Sequence, residues 1–585
     1  MVTPLPMSLF TPRPHRVTPQ FSSSVHPVLQ TVFAARGLQH DAELDLALAG
    51  LLPPSGLLNM TQAVALLMTS LQAQKRILIV ADFDADGATS CALALLCLRA
   101  FGFRHVDYLV PNRFEFGYGL TPEIVEVART RQPDLIVTVD NGIASHAGIA
   151  LARQHGIDVL VTDHHLPAST LPDATCILNP NQSGCSFASK ALAGVGVVFY
   201  LMTALRTALR AQNWFADQGI REPNMAAWLD LVALGTVADV VPLDRNNRRL
   251  VRHGLQVIRS GRARPGILAV LELAGRNLAS ITANDLGFAV GPRLNAAGRL
   301  DDMTRGIECL LTDEPFIARE MARELNGLNE DRKLIEQGMQ TEALEHLHQL
   351  NLEVSALRSV CLHDSRWHQG VIGILASRLK ERLHKPVLVF ADAGTDAQGE
   401  LQIKGSARSI TGVHIRDLLD AVATHNPGLL TKFGGHAMAA GLSLRQRDFV
   451  AFTAALEKEL EAHDEECFMR QTFTDGGLDS GCFSLEFAAL LREAGPWGQH
   501  FPEPVFNGDF RVISVRVLSG KHLKLVLQIP DSQQIVDAIA FNQTAEVLAR
   551  AEQGREVVRM LYKLDINEYR GLSSPQLMIE TLEFY

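Results

Sequence analysis

Three times between residues 76 and 165 an uninterrupted apolar run stops at a cluster of polar and acidic residues. KRILIVADFDADGATS leads into the helical segment ATSCALALLCLRAFG, DLIVTVDNG leads into IASHAGIALARQHG, and IDVLVTDHH ends the series. Runs that are apolar on both faces and separated by helical patterns predict parallel strands covered by crossover helices. In such open α/β sheets, ligands bind beyond the carboxyl ends of the strands. Asp82, Asp84, Asp86, Asp140, Asp163, His164 and His165 are therefore expected to meet at one rim.

A chain of 585 residues is too long for one core, and its texture changes along its length. Residues 1–55, rich in Pro, Ser and Thr, read as an N-terminal extension packed on the neighbouring domain. Residues 56–265 read as the parallel-sheet domain. Residues 266–350 read as a helical connector, with a long helix near 312–350. Residues 351–470 read as a second α/β unit, with strands near Ser359–His363 and Pro386–Phe390 and the glycine-rich KFGGHAMAAGLSL downstream. From about Thr472, five alternating runs (FRVISVRVL, HLKLVLQI, QIVDAIAF, VVRMLYKL and PQLMIETLEF) predict a small antiparallel β-barrel of the OB type over 471–585. In that barrel Phe506, Phe510, Arg511, Arg516, Lys521 and Lys524 are candidates for gripping a single strand, although aromatics in a small barrel more often form its core.

Hydrophobic residues at 47% and charged residues at 20% are the proportions of a folded globular chain. The longest nearly apolar stretch, Ala191 to Leu205, contains two glycines and falls short of the ~20 residues of a membrane-spanning helix. The N-terminal residues carry no cationic-then-apolar export pattern. Eight scattered cysteines without a C-x-x-C pair argue against a redox motif or a four-cysteine zinc site, and suit a reducing cytoplasm. The net charge of −10 argues against a polyanionic partner, yet residues 245–264 hold seven arginines and no acid, a candidate phosphate-tracking patch or a solvated helix face.

Crowded carboxylates need cations. Two like charges ~4 Å apart repel by about 4 kcal/mol at an effective dielectric of 20. Oxygen ligands with one or two imidazoles suit Mn2+ or Mg2+. A pair of such ions ~3.5–4 Å apart serves phosphoester hydrolysis. The D-x-D-x-D-G run also opens calcium loops, but position 12 counted from Asp82 is Leu93 where an EF-hand needs Glu, and a strand precedes it.

The ordered segments ADFDADGATS, TVDNG, TDHH and GTVADVVPL resemble the four motifs of the DHH phosphoesterase family. GPRLNAAGRL, LNGLNEDRKLIE, WHQGVIGILASRL, KGSARS and KFGGHAMAAG are similar to its single-strand-specific exonuclease branch, and the resemblance covers residues 75–545. It implies a DHH domain, a DHH-associated domain and an OB-fold. It further implies metal ligands at Asp82, Asp84, Asp86, Asp140, His164 and Asp239 for two Mn2+ or Mg2+ ions, with Asp140 between them, Asp163 orienting the histidine pair and His165 facing the scissile phosphate. For Asp239, spacing alone favours a helix-end cap.

Arg113, Ser406 and Arg408 are implied to receive a terminal 5′-phosphate. Arg293, Asn295 and Arg299 are implied to contact the strand near the cut. Gly434, Gly435 and His436 are implied to approach a phosphate, with His368 and Arg378 as further candidates whose structural role is as strong a reading. The function implied is 5′→3′ hydrolysis of single-stranded DNA to mononucleotides in repair and recombination, with a helicase and a single-strand-binding protein as partners. The alternatives are a DHH phosphodiesterase of short oligonucleotides or cyclic dinucleotides, and a non-catalytic single-strand-binding scaffold.

Overall fold

The computed structural model describes residues 10–112, 116, 119–349, 357–396, 399–552, 557–569 and 571–584. The chain forms two compact units: residues 1–291, 307–318 and 471–585 make the first, and residues 292–306 and 319–470 the second.

The first unit holds a five-stranded, all-parallel sheet in the order Val106–Leu109, Ile77–Ala81, Leu135–Val139, Asp158–Thr162, Cys176–Leu178. Ile77–Ala81 and Leu135–Val139 are buried at every position, which is why they read as continuous apolar runs rather than alternating ones. Asp84 caps the helix Ala85–Phe101, its Oδ1 accepting from the amides of Asp86 and Gly87 at 2.9 and 3.0 Å. At the other end Gly102 closes the helix with φ of 102°, a left-handed conformation that glycine adopts without a side-chain penalty.

The helix Gly194–Ala211 has the length and hydropathy of a membrane span, but 61% of it is buried inside the unit, the environment of a core helix. Among the described residues all eight cysteines are free thiols.

The N-terminal segment is joined to the far end of the chain. Phe10–Pro12 pairs in parallel with Thr472–Thr474. The buried Arg36 guanidinium donates to both oxygens of Asp475, at 2.8 and 3.0 Å, and to the carbonyls of Val32 and Pro502.

The five C-terminal strands, Phe506–Leu518, His522–Gln528, Ile535–Ala540, Val557–Tyr569 and Leu572–Phe584, close into a barrel in the order first, second, third, fifth, fourth. It departs from a purely antiparallel barrel at one seam, where Ile535–Ala540 and Leu572–Phe584 run parallel. Those two strands point the same way, and bringing them together removes both open edges.

Part of the arginine run is turned into the first unit. Five of its arginines lie on the helix Arg245–Arg259, where Arg248 and Arg249 are buried, while Arg262 beyond it is exposed. Arg248 stacks over Phe501 at 4.2 Å, Arg249 donates to the Asp45 carbonyl, and Arg259 donates twice to the Ile281 carbonyl. Arg264 binds Asp313 and the Leu310 and Thr312 carbonyls. Guanidiniums satisfy buried carbonyls here, a use that composition does not distinguish from a surface charge patch.

The second unit contains a mixed sheet in the order Lys432–Gly435, Ala439–Arg445, Leu401–Arg408, Val387–Thr395, Val360–His363, with a parallel seam between the last two. The helix Pro315–Gln349 supplies Met339, Ala343 and Leu347 to a core shared with Trp367, Val371 and Leu375.

Candidate metal centre

The sheet of the first unit places its acids at the strand tips. Asp82 follows Ile77–Ala81, Asp140 follows Leu135–Val139, and Asp163 follows Asp158–Thr162. The middle tip is held firmly. Asn141 donates to the Val80 and Val139 carbonyls at 3.0 and 2.9 Å, joining two neighbouring strands. The Asp140 amide donates to the Thr162 carbonyl, and Asp140 itself has a left-handed φ of 63°. A non-glycine residue in that region is uncommon and carries strain of order 1 kcal/mol.

Around this tip the side chains converge. His164 Nε2 lies 3.1 Å from Asp140 Oδ1, 3.3 Å from Asp239 Oδ2 and 4.0 Å from Asp86 Oδ2. Three overlapping groups each gather ligand atoms within 4.8 Å of one another: Asp82, Asp84 and Asp140; Asp86, His164 and Asp239; Asp140, His164 and His165. Asp239 is the C-cap residue of the helix Leu229–Ala238 and also reaches the cluster, so the helix-end reading and the ligand reading describe the same residue.

The electrostatics carry the mark of concentrated negative charge. Burial, then the charge of Asp84, pushes Asp86 up to about 7. Burial, then Asp86 and Asp84, holds Asp140 and Asp239 well above the usual carboxylate range. Carboxylates gathered in this way retain protons or require cations, and the oxygen-rich donor set with imidazole fits Mn2+ or Mg2+.

Asp163 faces the other way. It accepts from the amides of Ile143, His164 and His165 and from His165 Nδ1, the last at 2.7 Å. Burial opposes its ionisation, but the hydrogen bond and charge of His165 bring Asp163 down to about 2. The same pairing, against burial, raises His165 to about 9. Asn179 and Asn181 hold the carbonyls of His165 and His164 at 2.8 and 2.6 Å. These asparagines and Asn141 were not singled out by sequence reasoning; the neighbouring motifs TVDNG and TDHH were their available signal.

In the second unit, Ser406 and Arg408 lie on a central strand, with Arg408 Nη1 donating to Ser406 Oγ at 3.0 Å. A Cβ on Gly373, in the first turn of the helix Ile372–Leu383, would lie 3.0 Å from both side chains. Arg299 Nη1 donates to the Gly370 carbonyl, and His368 Nδ1 accepts from the Gly370 amide. Arg293 binds Asn326 Oδ1. Asn295 is half-buried on the helix Gly291–Leu300.

Gly434 pairs with Gly441, which pairs with Ser406, so the glycine strand and the Ser406 strand share one row; Gly435 and His436 follow at the strand end. Arg378 is engaged by Glu336 and Glu381. Arg113 lies outside the described residues. On the barrel, Phe506 and Phe510 are core, Lys524 pairs with Asp537, and Arg511, Arg516 and Lys521 are exposed.

Comparison with known proteins identifies the family. The DHH family N-terminal domain matches residues 76–236, the DHHA1 domain 353–462 and the RecJ OB domain 474–581. The single-stranded-DNA-specific exonuclease RecJ of Escherichia coli is 50% identical over 567 residues, 97% of each chain, and that of Bacillus subtilis is 31% identical over 564 residues, 95% of this chain and 68% of the other. The crystal structure of RecJ in complex with Mn2+ from Thermus thermophilus superposes with a TM-score of 0.75 at 29% identity, covering 96% of this chain and 76% of that one. The chain belongs to the RecJ family of DHH-domain proteins.

Proposed function

We propose that this chain is a divalent-metal-dependent exonuclease that hydrolyses single-stranded DNA from its 5′ end to 5′-mononucleotides. The carrying observation is the convergence of Asp82, Asp84, Asp86, Asp140, His164 and Asp239 at the strand tips. Those residues would hold Mn2+ or Mg2+, and on this reading two ions. When bound, such ions activate water and neutralise charge developing on the phosphate oxygens. His165, oriented by the contact of its Nδ1 with Asp163, faces the scissile phosphate.

Arg293, Asn295 and Arg299 position the strand. Ser406 and Arg408 receive the 5′-phosphate, for which an arginine fork is suited. Arg113 is assigned a phosphate on the resemblance alone. Gly434, Gly435 and His436 present backbone to the chain of phosphates. The closed barrel favours a polymeric substrate over a dinucleotide. We place the activity in a reducing cytoplasm, in DNA repair and recombination, with a helicase and a single-strand-binding protein delivering the strand.

The test is digestion of one oligonucleotide labelled at either end, with Mn2+ and with EDTA. A 5′ label is expected to appear at once as mononucleotide, a 3′ label is expected to remain on progressively shorter strands, and EDTA is expected to stop both. Release of the 3′ label first, or cleavage that survives EDTA, refutes the reading.

A further inference from the structure

Both carboxylate oxygens of Asp86 accept backbone hydrogen bonds. Its Oδ2 accepts from the Gly194 amide at 2.6 Å and its Oδ1 from the Val195 amide at 2.9 Å, the first two residues of the helix Gly194–Ala211. Amides at a helix start have no intrahelical partner, and the helix dipole favours a carboxylate there. For them to reach this buried carboxylate, the start of the helix has to lie against it.

Two glycines permit that approach. A Cβ on Gly194 would sit 2.7 Å from both Cβ and Oδ1 of Asp140, and a Cβ on Gly235, in the helix Leu229–Ala238, would sit 2.8 Å from Asp86 Oδ1 and from Val195 Cγ1 and would also overlap Thr89 Oγ1. Neither glycine has a left-handed backbone that would explain it. At Gly194 the obstacle is the root of the Asp140 side chain, which a rotamer change cannot move.

We propose that Gly194 and Gly235 are positioning residues of the metal centre: their missing side chains let two helices close on Asp86 and Asp140 and set the spacing of these carboxylates for the ions. The inference rests on the metal reading above and names residues that touch neither ion nor substrate. Adding a methyl group at either position separates Asp86 from its amide donors or pushes Asp140 from the tip. Groups that orient metal ligands commonly contribute 10- to 100-fold to metal affinity.

The experiment is calorimetric titration of Mn2+ into the metal-free full chain, with thermal unfolding recorded without metal. Gly194→Ala and Gly235→Ala are expected to bind Mn2+ at least tenfold more weakly while melting within a few degrees of the parent. Gly338→Ala, at a helical glycine with nothing within 4 Å of its Cβ position, is expected to bind as the parent does. Should Gly194→Ala fail to fold, Val195→Pro decides, because it removes one amide donor to Asp86 in a helical first turn that tolerates proline.

Parent-like Mn2+ affinity in the folded glycine variants, or in Val195→Pro when that variant decides, overturns the positioning inference alone. An affinity loss that merely tracks a lowered metal-free melting temperature also overturns it. A parent chain that binds no Mn2+ overturns the metal reading and the inference together.

Discussion

Replacing Asp163 by Asn keeps its shape and removes its charge, and the structure sets the size of the consequence. The His165 pairing, against burial, brings Asp163 from 3.8 down to about 2, and the Asp163 pairing, against burial, takes His165 from 6.5 up to about 9, a stabilisation on the order of a few kcal/mol. A depressed carboxylate contributes stability above pH 3.8 and loses it as pH falls through 2; a raised imidazole contributes below pH 6.5 and loses it as pH rises through 9. The full effect is therefore present near pH 6.

In Asp163→Asn the amide group also confronts an N–H donor on Ile143, His164 or His165 whichever way it turns. Hydrogen exchange followed by mass spectrometry, on metal-free protein, reads this locally. Peptides covering residue 143 and residues 164–165 are expected to exchange at least about tenfold faster in the variant at pH 6, the factor equivalent to about 1 kcal/mol or more. The difference should narrow above pH 9. Unchanged exchange at those amides, or a difference indifferent to pH, would refute the claim that this ion pair organises the histidine tip.

Asp84 both caps a helix and faces the cluster, so Asp84→Ala is expected to lose hydrolysis and about 1 kcal/mol of helix stability. Asp84→Asn, which keeps a capping oxygen, should lose at least 1,000-fold in turnover with unchanged melting; wild-type turnover in either folded variant removes Asp84 from the active site. Because Asp86 is raised to about 7 and Asp140 and Asp239 higher than ordinary carboxylates, metal binding has to displace protons. Mn2+ affinity should rise with pH through 7, and titrations in buffers of different ionisation enthalpy should report proton release; zero release at pH 6.5 contradicts the crowded-carboxylate picture. Arg248→Ala is expected to destabilise the first unit by 2 kcal/mol or more, on the order of other buried-cation losses, while the slope of log affinity for single-stranded DNA against log salt stays the same. A shallower slope would return this arginine to the DNA path.

The tips of the parallel strands were legible because burial on both faces leaves a long apolar run that can end only in polar residues at a rim. Ile77–Ala81 and Leu135–Val139 show this directly, and so do the acids that follow them. What sequence could not distinguish was the environment of a charge. The same arginine spacing in 245–264 serves a solvated face, a phosphate track or, as here, buried carbonyls and an aromatic ring.

Partners far apart along the chain were equally opaque: Arg36 meets Asp475, and Gly194 meets Asp86 through an amide that every residue but proline possesses. A glycine in an apolar helix reads as a weak propensity defect, and its use appears when the atoms opposite its absent Cβ are known. At Gly194 those atoms belong to Asp140. On the proposed reading, the part of the centre that would recognise ions is written in acidic motifs, whereas the part that would space them lies in an apolar stretch, where chemical patterning gives no sign of it.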